Sequence, residues 1–289
     1  MKRINKLAHM ISLCCVVAGF TSCNVINPAE PTPAYISIDT IMLTTNLINE
    51  GSASHKMVDA WVYVDDEPVG AYEMPARFPV LASGTHKVSV RGGILLNGIN
   101  ATHLAYPYYQ FVDKTVELIP GQETKLTDVV TTYFPQLVFD LKEDFEGLIP
   151  FSPSDGSPVS MTSGNDAVNS FEGGYGVVKL DTGVYDFEVK SNQLNLQNDG
   201  TNIYLEMNYK NSAPFVVILQ SEDIFGTSAK NAIITLNTRS VWNKIYIELR
   251  PTMMKTPNAS KFRILFGTTR ADASTKEEFY FDNVKVVHN

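Results

Sequence analysis

The chain has 289 residues, 23 Lys and Arg against 31 Asp and Glu, a formal net charge of −8, and three cysteines. An acidic chain without a basic run argues against nucleic acid as a partner and against electrostatic docking on anionic lipid. The length suits two domains and is sufficient to build apolar cores without disulfides.

Lys2, Arg3 and Lys6 give a cationic start, and residues 7–20 are mostly apolar, interrupted by His9 and Ser12. That run is too short to span a bilayer but suits the central region of a signal peptide. The small residues Thr21 and Ser22 then precede Cys23. Gly19-Phe20-Thr21-Ser22-Cys23 resembles a bacterial lipobox, with Phe20 where leucine is usual. The resemblance implies that residues 1–22 are a lipoprotein signal peptide and that Cys23 is acylated, by palmitate or a similar chain. It implies an outer-membrane lipoprotein, with the surface and periplasmic faces both open. Two or three acyl chains give a stable anchor where one is marginal. The alternative is an ordinary signal peptide with a chance cysteine. Cys14 and Cys15 fall within the signal, so no thiol remains for a disulfide, a zinc site or a nucleophile. Loss of the three basic residues takes the body from −8 to −11.

Residues 23–33 contain Pro28, Pro31 and Pro33, which make a stiff tether of about 3.1 Å per residue in polyproline II form. Glu30 is its sole acidic residue. Residues 34–134 then read as β. Residues 60–64 are rich in strand formers, Asp65-Asp66-Glu67-Pro68 is a turn, and further strands are expected at 86–91, 115–119 and 124–130. Trp61-Val62-Tyr63-Val64-Asp65-Asp66, Val69-Gly70 and Leu81-Ala82-Ser83-Gly84-Thr85-His86-Lys87-Val88 together resemble a PEGA-type β-sandwich module. The resemblance implies an immunoglobulin-like spacer, structural rather than chemical, and it is loose between Gly92 and Asp113.

Phe134-Pro135 breaks the pattern, and residues 137–289 form a second β region. Its strands are expected at 137–145, 175–180, 184–189, 203–209, 215–219, 232–236, 242–249, 261–266 and 278–287. Short strands separated by Gly, Pro and Asn turns, with no helical period, predict an all-β chain of two tandem β-sandwiches. Asp144-Phe145-Glu146-Gly147, residues 240–247 and residues 279–286 resemble the jelly-roll carbohydrate-binding and concanavalin-like modules. That likeness implies a jelly roll whose first and last strands pair.

Four constellations stand out. Asp144, Glu146 and Asp282 match positions that supply ligands to a structural calcium in several jelly rolls, so the resemblance implies calcium; the other reading is that they cap strand ends and bond to backbone or water. No other cofactor is required. Alternation places Trp242, Lys244, Tyr246 and Glu248 on one strand face, opposite Ile245, Ile247 and Leu249, and Tyr204, Glu206 and Asn208 opposite Leu205 and Met207. Rings beside carboxylate and amide groups suit a glycan; a mixed, partly solvated sheet face is the plainer alternative. Tyr106, Tyr108, Tyr109 and Phe111 are either a patch for a partner protein or a loop folded onto its own sandwich, which is preferred. Residues 149–169, dense in Ser, Pro, Gly, Asp and Asn, form a loop long enough to cover the second sandwich.

Enzyme signatures are absent. Glu143 and Asp144 would point to opposite faces of a strand, and Asp144 with Glu146 misses the alternating acid pattern of the jelly-roll glycosidases. His55, His86, His103 and His288 fit no triad or metal pattern. The expectation is a non-enzymatic, lipid-anchored envelope protein that binds a glycan through its second sandwich. The alternative is a structural or accessory lipoprotein of an outer-membrane or surface protein complex.

Overall fold

The computed structural model describes residues 30–289; the signal-like segment and Cys23 lie outside the described residues. The strands sort into two sets, residues 34–131 and 138–288, and no named strand of one set pairs with a strand of the other.

In the first set, Ala34–Ile38 lies between Ala76–Val80, antiparallel, and Glu123–Leu126, parallel. A facing sheet runs Glu67–Glu73, Asp59–Val64, Gly84–Leu95, His103–Ala105, with Val112–Leu118 also on Gly84–Leu95. Ile36, Ile38, Val62, Phe78, Val88 and Val90 fill the space between. The hairpin between Asp59–Val64 and Glu67–Glu73 turns on Asp65 and Asp66, both at positive φ, which a two-residue loop needs if its twist is to match the strands. His86 Nδ1 meets Asp65 Oδ2 at 2.6 Å, and Lys87 Nζ meets Asp66 at 2.5 Å. The acidic turn is thus clamped to the next strand.

The second set forms a jelly-roll sandwich. One sheet runs Thr162–Gly164, Tyr175–Leu180, Glu277–His288, Ile203–Asn211, Arg239–Glu248. Val138–Glu143 pairs with the end of Glu277–His288, so first and last strands lie together. The other sheet runs Phe151–Pro153, Asp186–Ser191, Ala259–Thr269, Phe215–Asp223, Ser228–Leu236. Leu205, Met207, Ile245, Ile247, Phe279, Phe281 and Val286 face inward with Phe215, Val217, Ile264 and Phe266. This is the expected alternation. A bulge at Asn283, at positive φ, sets two residues against Met207. It marks where Glu277–His288 exchanges Tyr175–Leu180 for Val138–Glu143 as its neighbour. Among the described residues helix is confined to the single turns Leu47–Glu50 and Arg250–Met253, and no helix among them is long and apolar enough to cross a membrane.

The two sandwiches are welded together. Leu43, Ile94, Tyr106, Tyr108, Tyr109 and Tyr133 form one buried cluster with Tyr204, Tyr246 and Val287. The tyrosine loop is fixed from behind by Arg91, whose guanidinium donates to the carbonyls of Tyr109 (3.0 Å) and Pro107 (2.6 Å). The expectation of a loop folded onto its own sandwich is therefore corrected. Its backbone belongs to the first sandwich, but Tyr106 packs edge-on to Tyr204 at 5.1 Å and against Tyr246 at 5.0 Å. Only Phe111 remains exposed, edge-on to Tyr63. Each buried ring contributes about 1.5–3 kcal/mol, and aromatic pairs contribute about 0.5–1.5 kcal/mol more. Nine buried side chains drawn from both sandwiches thus share one cluster.

Candidate functional site

The outward face of the Ile203–Asn211 sheet carries every residue expected to touch a glycan, in four rows across the strands. The first is Tyr204 with Glu248 and Val287; the second is Glu206 with Tyr246 and Lys285; the third is Asn208 with Lys244 and Asp282. Lys210 and Tyr280 make the fourth, beside Trp242.

The first sandwich covers the first two rows. The Glu206 side chain, wholly buried, accepts from Tyr106 Oη at 2.7 Å and from Tyr133 Oη at 3.0 and 2.8 Å. Tyr109 and Tyr246 share a hydroxyl contact at 3.0 Å, and Tyr108 Oη donates to the Asn202 carbonyl. Burial, then the Glu206 charge, pushes the Tyr106 and Tyr133 hydroxyls well above the usual phenol range, so both stay protonated donors. Asn97 adds to the free edge of Arg239–Glu248: its N–H donates to the Tyr246 carbonyl at 2.8 Å, and its Oδ1 accepts the Glu248 N–H at 2.9 Å. An exposed sheet edge is thereby closed.

The third row lies under residues 52–56 and Glu172. Ser54 Oγ donates to Asn208 Oδ1 at 2.7 Å, Lys285 Nζ donates to the Ser52 carbonyl at 2.6 Å, and Glu172 meets Ser52 and Asn283. Lys244 Nζ lies 3.6 Å from Glu206 with its side chain 2% exposed. Burial holds that ammonium below its ordinary range against the pull of Glu206. The glycan reading is therefore corrected for Tyr204, Glu206, Asn208, Lys244 and Tyr246. The alternation points them outward as expected, but the first sandwich occupies the space a sugar would need. Glu248 is largely enclosed too, with 11% of its side chain exposed, paired with Arg250 at 2.8 Å.

The three carboxylates of the calcium reading do not gather into one cluster among the described residues. Asp144 Oδ1 accepts the Glu146 N–H at 3.2 Å, Glu146 Oε1 accepts the Gly174 N–H at 2.5 Å, and Asp282 accepts from Asn283 (2.7 Å) and Glu172 (3.2 Å). Among the described residues no three His, Cys, Asp or Glu gather as a cation needs. Asp282 is buried and Asp144 is exposed; each carboxylate instead satisfies nearby backbone donors, the other reading of the sequence.

Of the expected glycan residues, Trp242 keeps an open flank, in the fourth row. Its indole N–H donates to the Asn169 carbonyl at 2.9 Å, and its ring meets Phe171 at 5.8 Å and Tyr280 at 6.4 Å. Phe171 is 40% exposed. Lys210 Nζ lies 4.4 Å from the Tyr280 ring centre and 5.6 Å from that of Trp242, and donates to Asn169 Oδ1 at 3.0 Å. Tyr280 Oη donates to Glu278 at 2.6 Å. Tyr175 Oη donates to Asp166, which draws that carboxyl down to about 2. A hollow lined by Asn169, Lys210, Asn211, Ser212, Thr238, Arg239, Ser240, Glu278 and Tyr280 opens beside these rings. Asn169 ends the loop expected to cover the second sandwich, and it does reach the sheet's open end. Lys210, Tyr280 and Phe171 were missed. Lys210 continues the outward series 204, 206, 208, and Tyr280 shares the outward phase of Asp282, so both carried a signal. Phe171 lies in a turn with no period to place it.

No protein-family model and no curated protein matches the sequence. Solved structures resemble part of it. A family 11 carbohydrate-binding module of a Clostridium thermocellum cellulosomal cellulase is 15% identical over 52% of this chain and 95% of that one, with a TM-score of 0.37. A family 22 xylan-binding domain is 17% identical over 52% of this chain and 94% of its own, also at 0.37. The enzymatically active domain of a bacteriophage CBA120 tailspike is 16% identical over 48% of this chain, with a TM-score of 0.37, and the match spans 19% of the tailspike chain. At these TM-scores the likenesses carry no argument about activity.

Proposed function

We propose that the chain is a non-catalytic glycan-binding protein of the outer membrane, anchored through Cys23, that takes its ligand at the open end of the second sandwich. The observation that carries the reading is the Trp242–Phe171 pair, half-open rings beside the Lys210 ammonium and a hollow with a carboxylate and amides on its wall. A sugar presents an apolar C–H face to a ring and hydroxyls to such groups, and ligand sites combine apolar walls with a few placed polar groups in this way. The lipobox-like segment supports the anchor, and it would hold the welded pair of sandwiches at the membrane.

The test is retention on immobilised polysaccharides. Trp242→Ala and Phe171→Ala are expected to abolish retention while leaving the melting temperature nearly unchanged, because both rings lie at the rim of the sandwich. If wild type binds no glycan, or if binding survives both substitutions, the reading falls.

A further inference from the structure

A second cleft, of about 220 Å³, opens where the two sandwiches meet, and its lining is unusual for this chain. Its walls are the edge of Arg239–Glu248 and the neighbouring Ser228–Leu236 on one side and the Asn97–Asn100 turn of the first sandwich on the other. Lys56, Arg239 and Lys244 line it, and among the described residues no Asp or Glu does. In a chain of net charge −8, three cations without an acid run against the composition. Several surface cations elsewhere are matched: Arg77 with Glu123, Lys125 with Asp39, Lys230 with Glu188, Lys276 with Asp181.

Lys56 and Arg239 have no carboxylate within ion-pair distance among the described residues; Lys56 Nζ donates to Asn243 Oδ1 at 2.6 Å. Partial desolvation, then the nearby Arg239 charge, lowers the Lys56 pKa, so the two cations repel. The third cation adds an independent sign. The Lys244 ammonium is buried and makes no hydrogen bond within the described residues; Glu206 at 3.6 Å offsets its charge, but its donor positions stay unfilled, which costs free energy. Asn97, Asn100 and Asn243 place carboxamides around the same space.

We propose that this interdomain cleft binds the carboxylate of a sugar acid, a uronate-type residue. Arg239, at the exposed mouth, presents the planar fork that matches a carboxylate. Lys56 neutralises the charge alongside it, and the carboxamides bond the ring hydroxyls. Binding would relieve the repulsion between the two cations and tie together groups from both sandwiches. The proposal rests on the glycan reading for the source of its ligand; its geometry differs, because Lys56 and the Asn97–Asn100 turn line the cleft and not the rim hollow, although Arg239 borders both.

The test is calorimetric titration of the full chain in detergent with D-glucuronate, against D-glucose and inorganic phosphate. Saturable binding of glucuronate, not of glucose, is expected, weakening as salt rises. Arg239→Gln and Lys56→Gln are each expected to weaken it at least tenfold; both side chains are exposed, so both variants should fold. Trp242→Ala is expected to leave glucuronate binding intact while removing retention on neutral polysaccharide, which separates failure of the rim site from failure of the cleft. Absence of glucuronate binding, binding indifferent to both cation substitutions, or equal binding of phosphate would each overturn the proposal.

Discussion

Tyr106 Oη donates to the buried Glu206 carboxylate at 2.7 Å, joining side chains 100 positions apart and on different sandwiches. The same carboxylate takes the Tyr133 hydroxyl, so three residues that look unrelated along the chain share one hydrogen-bonded charge. Hydrogen bonds to a buried charge are among the stronger kind. Leaving that charge underbonded costs more than the bond itself returns.

The first prediction follows from that bond. Tyr106→Phe and Tyr133→Phe should each lower unfolding free energy by about 1.5–3 kcal/mol, with non-additive effects because they share Glu206. Urea denaturation followed by near-ultraviolet and fluorescence signals should show one cooperative transition in the wild type. Two well-separated transitions would show the sandwiches to be independent.

Tyr246 separates structure from binding. It is 2% exposed and sits beneath Tyr106. Tyr246→Ala should therefore cost about 3–5 kcal/mol of stability, as large aromatic deletions in cores do. Trp242→Ala should cost far less. Equal melting temperatures for the two variants would contradict the covered face.

The buried polar row gives a dependence on pH. Burial pushes the Asp282 carboxyl up to about 7, and burial followed by Lys244 pushes the Lys285 ammonium down to about 7. Between about pH 4 and 7 the folded chain holds an Asp282 proton that the unfolded chain has lost, so this group's contribution falls as pH rises. Between about pH 7 and 10 the unfolded chain binds the extra proton at Lys285, so that contribution rises with pH. Measured by urea denaturation, the stability of Asp282→Asn relative to wild type should climb from pH 4 to 7 and level off above. A difference independent of pH would show that Asp282 does not titrate there.

Chelation should leave the melt unchanged. The expectation rests on Asp144, Glu146 and Asp282 each bonding to backbone N–H groups. A lower melting temperature in EDTA, restored by calcium, would reinstate a metal site.

Anchoring is tested at the residue outside the described region. Cys23→Ala should abolish incorporation of a palmitate analogue and release the protein from the membrane fraction. Labelling that persists in the variant would exclude the lipoprotein reading.

The sequence by itself determined the all-β class, most strand positions and the phase of the two strands at 203–209 and 242–249. Ile245, Ile247 and Leu205 point inward and Glu206, Lys244 and Tyr246 outward, because side chains alternate strictly along a strand. Turn chemistry was equally local: Asp65-Asp66 turns the hairpin where it was expected. Asn97-Gly98, also at positive φ, was a hairpin signal of the same kind, in the excursion where the spacer likeness ran loose. What covers an outward face is not a local property. A strand bearing Tyr, Glu, Asn and Lys reads the same whether it meets water, a sugar or another domain's tyrosines. Those groups satisfy their hydrogen bonds equally well with any of the three. Only the tertiary arrangement brought Tyr106 and Tyr133 onto Glu206, closed two rows of the face and part of a third, and left Trp242 at the open end. The same docking set Lys56 of one sandwich beside Arg239 of the other, a juxtaposition that neither segment encodes alone.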